Sequence, residues 1–327
     1  MRTLRPNVRL DLPQHPRFKG FEAFAAREIL PRLAEMEAER RRVLRRAKLV
    51  AIATAAIVLG LVVLGVLEII GIFGVIVPAI LLTLLGVFLG GWPLMSFASN
   101  MGNFLLAKTC EHLGLRHTGA NPSLPLERFR TARLLPRSDT HTFEDGIESA
   151  SQDLAFAAAE VSLADSRTDS DGRSEETTVW RGFLMEMPSP RGFEGRTLVL
   201  PKRTGFDQFF DRRESQPVAL NFEVEDGIEV RATIPSEARA VLTQRVMRRL
   251  AELGRRLGRE RPALALIDSH VLLTIESSRN RFRGGSVFEP IEPAKHLDPI
   301  AADVGQLLEL AEALRDALAL RAGARPG

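Results

Sequence analysis

Along most of the chain polar and apolar residues are mixed, but from Leu49 to Met95 the run is apolar, with Glu68 as the one charge near its middle. As one straight helix it would extend roughly 70 Å, more than twice the ~30 Å hydrocarbon core of a bilayer. The run must therefore fold back on itself. The pattern predicts a transmembrane helical hairpin with spans at about Leu49–Leu67 and Val75–Met95, turning through Glu68, Gly71 and Gly74. Pro78 is expected in the first turn of the second helix, where a missing N–H costs little. At the hairpin tip Glu68 avoids the roughly 2.5–3.5 kcal/mol that a carboxylate costs at a bilayer centre. A buried functional carboxylate would want polar partners, and only Thr54 and Thr83 lie within the spans. Gly86 and Gly90, Ala51 and Ala55, and Ala56 and Gly60 are small residues four apart. They suit close packing inside one hairpin, or self-association into a homo-oligomer.

Periodicity returns on either side. Phe21, Phe24, Ile29, Leu33 and Met36 recur at helical spacing, interrupted at Pro31, and the helix is expected to continue through an arginine cluster into the first span. After the second span Phe97, Met101, Phe104, Leu105 and Leu113 continue a stripe that Gly114 should stop. Strands are predicted at Leu154–Leu163, Val179–Met187, Thr197–Leu200, Val218–Val224, Ile228–Ile234, Ala263–Ile267 and Val271–Ile275. The polar stretch Asp165–Thr177 reads as a flexible loop, and Glu225-Asp226-Gly227 and Asp268-Ser269 as tight turns. One helix should run from Ser236 to Leu257, and another should start at Asp298 and Pro299. The expected fold class is α+β: a two-helix transmembrane hairpin with juxtamembrane helical extensions, plus a cytoplasmic, largely antiparallel α+β domain. The expected organisation is a mobile lead-in (1–18), a helical stalk with the hairpin (19–118), a connector (119–142), the α+β domain (143–322) and a tail (323–327).

Charge sets the orientation. Arg40, Arg41, Arg42, Arg45, Arg46 and Lys48 stand directly before the first span, Lys108 and Arg116 follow the second, and the tip has no Lys or Arg. By the positive-inside rule both long ends are cytoplasmic, so these six residues form a topology anchor that also offers contacts to anionic lipid headgroups. A signal peptide fits poorly, because the run starts far from the N-terminus and is too long. Net charge is only +3, so the basic character is local, and the one cysteine, Cys110, excludes an internal disulfide.

The search for chemistry finds little. Cys110, His112 and His117 are zinc-ligand types, but Cys110 and His112 point to different faces of a helix and no second half follows. His141, Glu144 and Asp145 can be drawn as an acid/base set, with His270 as a further candidate, but a solvated loop leading into a strand is the better reading. Arg191-Gly192-Phe193-Glu194-Gly195-Arg196 lacks the lysine and the following helix of a phosphate-binding loop. No catalytic or metal-binding set is assigned, and no cofactor is expected. The strongest charge feature of the soluble part is the helix after Pro235, where Arg245, Arg248, Arg249, Arg255 and Arg256 form a candidate basic interaction surface, with Arg239, Arg259 and Arg261 nearby. Such a surface suits lipid phosphates or an acidic protein partner. Nucleic acid is set aside, because the aromatic residues expected to interleave are missing.

Several short motifs occur in a definite order around the hairpin. They are Phe21-Glu22-Ala23-Phe24, Ile29-Leu30-Pro31-Arg32-Leu33, and Glu37 with Arg40 and Arg41 before it. After it come Glu144-Asp145-Gly146-Ile147, Trp180-Arg181-Gly182-Phe183, Phe193-Glu194-Gly195-Arg196, Phe222-Glu223-Val224, Glu237-Ala238-Arg239 and Phe288-Glu289. In this the chain resembles the bacterial membrane proteins grouped as domain of unknown function 3137, from about Phe21 to Leu318. It departs from them at Ala25, where the family tends to carry an aromatic. The resemblance implies a two-span inner-membrane protein with a cytoplasmic domain and no known reaction. The expected function is a membrane-tethered module that meets a protein partner at the cytoplasmic face. The alternatives are a membrane-bound enzyme without a recognisable motif and a lipid-binding or lipid-sensing domain.

Overall fold

A computed structural model describes residues 10–67, 71–151, 153–168, 174–201, 215–224, 227–257, 262–277 and 286–323. The chain divides into two units, one of Met1–Asp11, Gly20–Lys108 and Phe282–Pro299, the other of Leu12–Lys19, Thr109–Arg281 and Ile300–Gly327.

The first unit is built on helices. A short helix α1 (Phe21–Phe24) passes through a π-helical turn (Ala25–Ile29) into α2 (Leu30–Val66). The π turn lies where Pro31 was expected to interrupt the helix. The residue before a proline resists helical geometry, and the Leu30 N–H reaches back to the Ala25 carbonyl. The wider turn also shifts the apolar stripe, so that Phe21, Ala25, Ile29, Leu33 and Met36 are buried, with Ala25 in place of Phe24. A second long helix, α3 (Ile72–His112), follows a gap in which Glu68 lies outside the described residues. Because α3 begins at Ile72, Pro78 is interior, not in the first turn, and Pro93 is interior too.

The two long helices run antiparallel along a seam of small residues. A side chain at Gly65 would strike Val75, one at Gly86 would strike Thr54 at 2.4 Å, and one at Gly90 would rest on Ala47 at 3.7 Å. Both glycines of the Gly86/Gly90 pair therefore face α2, which is the packing role open to them within one hairpin.

The second unit holds nine strands among the described residues: β1 (Arg116–Gly119), β2 (Thr140–Ser151), β3 (Leu154–Thr168), β4 (Ser174–Pro188), β5 (Thr197–Pro201), β6 (Gln216–Pro217), β7 (Ile228–Ala232), β8 (Ala263–Ile267) and β9 (His270–Glu276). They form one antiparallel sheet in the order β1-β2-β3-β4-β9-β8-β5-β7-β6. On one face Ala159, Val161, Leu163, Trp180, Leu184, Leu198, Leu200 and Leu272 pack with Leu126 and Phe129 of α4 (Leu126–Thr131). Residues of opposite parity, including Phe183, Met185, Val199, Leu264, Leu273 and Ile275, are buried as well, so the sheet is covered on both faces. The remaining helices are α5 (Pro235–Val241), α6 (Gln244–Leu257) and α7 (Pro293–Gly323).

Several expected boundaries move, each for a local reason. The connector contains α4 and the start of β2, whose polar sequence hides a strand with a buried middle. The polar stretch after Asp165 is mostly ladder, with Asp165 opposite Thr177 and Ser166 opposite Glu176. Its β4 residues Glu175–Val179 are exposed, so a polar composition suits them. Val218–Val224 forms no strand; the ladder there is β6, at Gln216–Pro217, and Val218 adds one bond to Val230. The turn residues Glu225 and Asp226 lie outside the described residues. The single helix expected after Pro235 is two, because Leu242 leaves helical geometry and Thr243 caps α6 by accepting from the Val246 N–H at 3.3 Å. The last helix starts at Pro293, and Asp298 accepts from the Asp11 N–H instead of capping.

Candidate functional site

The basic collar separates into two kinds of side chain. Arg41, Arg42, Arg45, Arg46 and Lys48 are exposed, whereas Arg40 is buried. Arg40 forks onto Glu37, Nε to Oε2 at 2.7 Å and Nη2 to Oε1 at 2.9 Å, and donates through Nη1 to the Val287 carbonyl at 2.9 Å. Glu37 also accepts from Arg41 Nε at 2.7 Å and from the Ile291 N–H at 3.1 Å. The Arg40 hydrogen bond is the largest influence holding the Glu37 carboxyl down, at about 2. The ion pair thus fixes the segment Val287–Ile291 on α2 and leaves Phe288 72% exposed.

Beyond the collar both long helices are apolar on the outside. Leu49, Ile52, Leu59, Leu84, Phe88, Trp92 and Met95 are each more than half exposed, and none of the most apolar window of either helix is buried. Both helices are long and apolar enough to cross a membrane. Beside their seam lies a groove of about 600 Å³, lined by Ala47, Lys48, Ala51, Thr54, Gly86 and Gly90 among others, with Phe288 also on its wall. Thr83 lines it too, with its hydroxyl turned back onto the Ala79 carbonyl at 2.7 Å.

In the sheet unit the carboxylates are tied into the fold. A bulge in β2 puts Asp145 at φ 52°, between the Glu144–Glu160 and Ile147–Ala158 pairs. Gly146 is required beside it, since a Cβ there would lie 2.2 Å from Thr118 Oγ1. Glu144, Asp145 and Glu160 bring ligand oxygens within 4.8 Å of one another, a donor set that would suit a hard divalent cation. Arg181 already supplies counter-charge there, 2.8 Å from Glu144 and 4.0 Å from Glu160. A separate cluster joins buried Glu186 to Arg128 and to His270 Nδ1 at 3.0 Å. Strand alternation puts Glu186 with Leu184 on the α4 face and Glu160 on the other, so the two clusters do not converge. His141 is exposed, edge-on to Phe143.

The loop read as a possible phosphate cradle holds an internal anion. The N–H groups of Glu194 and Gly195 donate to the two carboxylate oxygens of Glu237, at 3.1 and 3.0 Å. A Cβ at Gly195 would meet Thr233 Oγ1 at 2.5 Å. Cys110 is fully buried, and desolvation pushes its thiol up to about 12. Burial lowers the pKa of His117.

The arginines of α6 face acidic partners on α7. Arg245 meets Asp316 at 2.8 Å, Arg249 meets Glu309 at 2.7 Å as well as Glu252 at 2.7 Å, and Arg256 pairs with Asp303. Arg248 and Arg255 are exposed; Arg259 and Arg261 lie outside the described residues. Two features carried no weight in the sequence: the Glu37–Arg40 clamp and the exposed Phe288. Both occur in short motifs, but neither charge spacing nor periodicity tells that residues 37 and 291 meet.

These features define an α+β protein with an antiparallel sheet, accompanying helices and two long apolar helices. Residues 178–315 match the family model described as "Protein of unknown function (DUF3137)", in line with the resemblance noted above. Among solved structures the chain is similar to the crystal structure of the mycobacterial trehalose monomycolate transport factor A, TtfA. The identity is 9% and the TM-score 0.37, covering 68% of this chain and 96% of that one. No curated protein matches the chain.

Proposed function

We propose that this protein is a two-span bacterial inner-membrane protein whose hairpin holds the sheet unit at the cytoplasmic face, where it serves as an interaction module. The observation that carries this reading is the outward apolar surface of α2 and α3. Monomeric soluble proteins rarely expose contiguous apolar patches beyond a few hundred Å², and a core helix would be buried where these windows are 0% buried. The exposed collar of Arg41, Arg42, Arg45, Arg46 and Lys48 at the start of the first apolar span supports an orientation with both ends in the cytoplasm. Within the sheet unit, the carboxylates Glu144, Glu160 and Glu186 are each next to an arginine. That arrangement favours a binding module over acid–base catalysis, which needs a group free to exchange protons with substrate.

The test has two arms. Alkaline extraction of membranes should leave the full chain in the pellet, and reporter fusions at either terminus should give the cytoplasmic phenotype. Release into the supernatant would sink the membrane reading. Gentle-detergent pull-downs that return only the chain itself would count against the interaction module while leaving the topology intact.

A further inference from the structure

We propose that the groove beside the α2–α3 seam holds one acyl chain of an anionic phospholipid from the collar-side leaflet, with its headgroup on Lys48 and Phe288 as a wall at the mouth. The proposal rests on the membrane reading and deepens it.

Length is the first argument. The groove follows α2 from Leu44 to Val58 and α3 from Thr83 to Leu94. From Lys48 to Val58 the helix rises about 15 Å. That is half of a ~30 Å hydrocarbon core, the depth one acyl chain fills. Chemistry is the second. Ala47, Ala51 and Gly91 carry little or no side chain and leave the space beside the seam open, and the Thr83 hydroxyl is already bonded to its own helix. The trough is thus apolar along its length and carries one charged lining residue, Lys48, with exposed Arg45 and Arg41 one and two turns away on the same side of α2. This polarity matches a lipid with an anionic head and an apolar tail. Finally, Phe288 is not loosely placed. The Arg40 bond to the neighbouring Val287 carbonyl holds its backbone against α2.

Full-length protein in bilayer nanodiscs, carrying phosphatidylglycerol or phosphatidylcholine with a photoreactive acyl chain, tests this directly. Cross-links should concentrate on the groove residues Gly86, Gly90, Gly91 and Leu94 and on Phe288 over the outward residues Ile52, Leu59 and Phe88. Phosphatidylglycerol should be preferred about fivefold, the worth of one cation at an anionic surface, and Lys48→Gln should remove that preference. Ala51→Phe, which fills the trough, should abolish the cross-links at Phe288 without loss from the nanodisc. Even labelling of all outward residues with no headgroup preference would overturn the groove while leaving the membrane reading standing. Disulfide dimers formed through Ala51→Cys would overturn it in favour of a second copy. Failure of the chain to enter nanodiscs would instead defeat the membrane reading itself.

Discussion

Arg40 donates to the main-chain carbonyl of Val287 at 2.9 Å, joining two positions 247 residues apart in sequence. The bond makes an arginine that looks like part of a solvent-facing collar into a structural clamp. Removing it leaves the part-buried Glu37 carboxylate with only the exposed Arg41 and the Ile291 N–H as partners, and loosens the segment that carries Phe288. Breaking a buried pair from one side typically costs about 3–5 kcal/mol. Arg40→Met should therefore destabilise the helical unit by an amount of that order. It should also speed chymotryptic cleavage after Phe288, whereas Arg42→Met, at an exposed position, should change neither. Cleavage kinetics in detergent micelles decide this.

Glu37 gives the clamp a pH signature. Its folded pKa is lowered to about 2 from an ordinary value of 4.5, first through the Arg40 hydrogen bond. A depressed carboxyl pKa stabilises the fold above the unfolded pKa, and that stabilisation fades as pH falls toward the folded value. The shift corresponds to roughly 3 kcal/mol at neutral pH, taken as an order of magnitude. Glu37→Gln should melt below the wild type at pH 7, and the gap should narrow between about pH 4.5 and pH 2. A gap that stays constant across that window would mean that packing, not charge, sets the difference.

Glu237 is expected to behave as an internal ligand of the Glu194–Gly195 amide pair. Glu237→Ala leaves two N–H groups without their acceptor, at about 1–3 kcal/mol for such groups when buried and less here, because this site is part exposed. Formate or acetate should restore part of the lost melting temperature in the variant and do little for the wild type. An equal response of both proteins would show that the amide pair is not an anion site once vacated.

Legibility in the sequence followed the range of the interactions. The hairpin was readable because apolar runs and glycine spacing are local. So was the helix end at Gly114, which sits at φ 69° with the Leu115 N–H reaching back to the Cys110 carbonyl at 2.8 Å. Strand β2 was not, because its burial comes from neighbours in the sheet, while its own residues include Glu144, Asp145 and Glu148. Glu148 is buried only because Arg116 and the Ser123 N–H meet it. The α5–α6 break was missed because Thr243 suits a helix interior and a cap alike, and only the bond to Val246 decides. The charge on α6 is legible as a run of arginines, but the acidic residues opposite it, Asp303, Glu309 and Asp316, are more than 45 positions away.

Gly182 tests the tightest approach to a backbone atom among the described glycines of the sheet. A Cβ there would lie 2.3 Å from the Ile275 carbonyl oxygen and 2.7 Å from the Trp180 ring. The carbonyl belongs to the paired strand β9 and cannot swing aside. Gly182→Ala should cost about 1–3 kcal/mol by overpacking, lowering the melting temperature and moving the Trp180 fluorescence. Gly60→Ala, which meets nothing within 4 Å, is the matched control and should leave stability unchanged or slightly raised.

The hairpin register can be tested by compensation. Gly86 faces Thr54, whose Oγ1 would lie 2.4 Å from an added Cβ, with Cγ2 at 3.0 Å and Cβ at 3.1 Å. Gly86→Ala should splay the two helices and lower resistance to SDS unfolding. Thr54→Ala removes the two closest atoms and leaves the Cβ, so the double variant should recover most but not all of the loss. The coupling between the two sites should fall in the 0.5–3 kcal/mol range of residues in direct contact. Thr83→Ala serves as the comparison, because its hydroxyl bonds the Ala79 carbonyl of its own helix, and it should show no such coupling with Gly86→Ala. Additive effects of Gly86 and Thr54 would mean that the helices meet in another register, and the groove geometry built on that seam would fail with it.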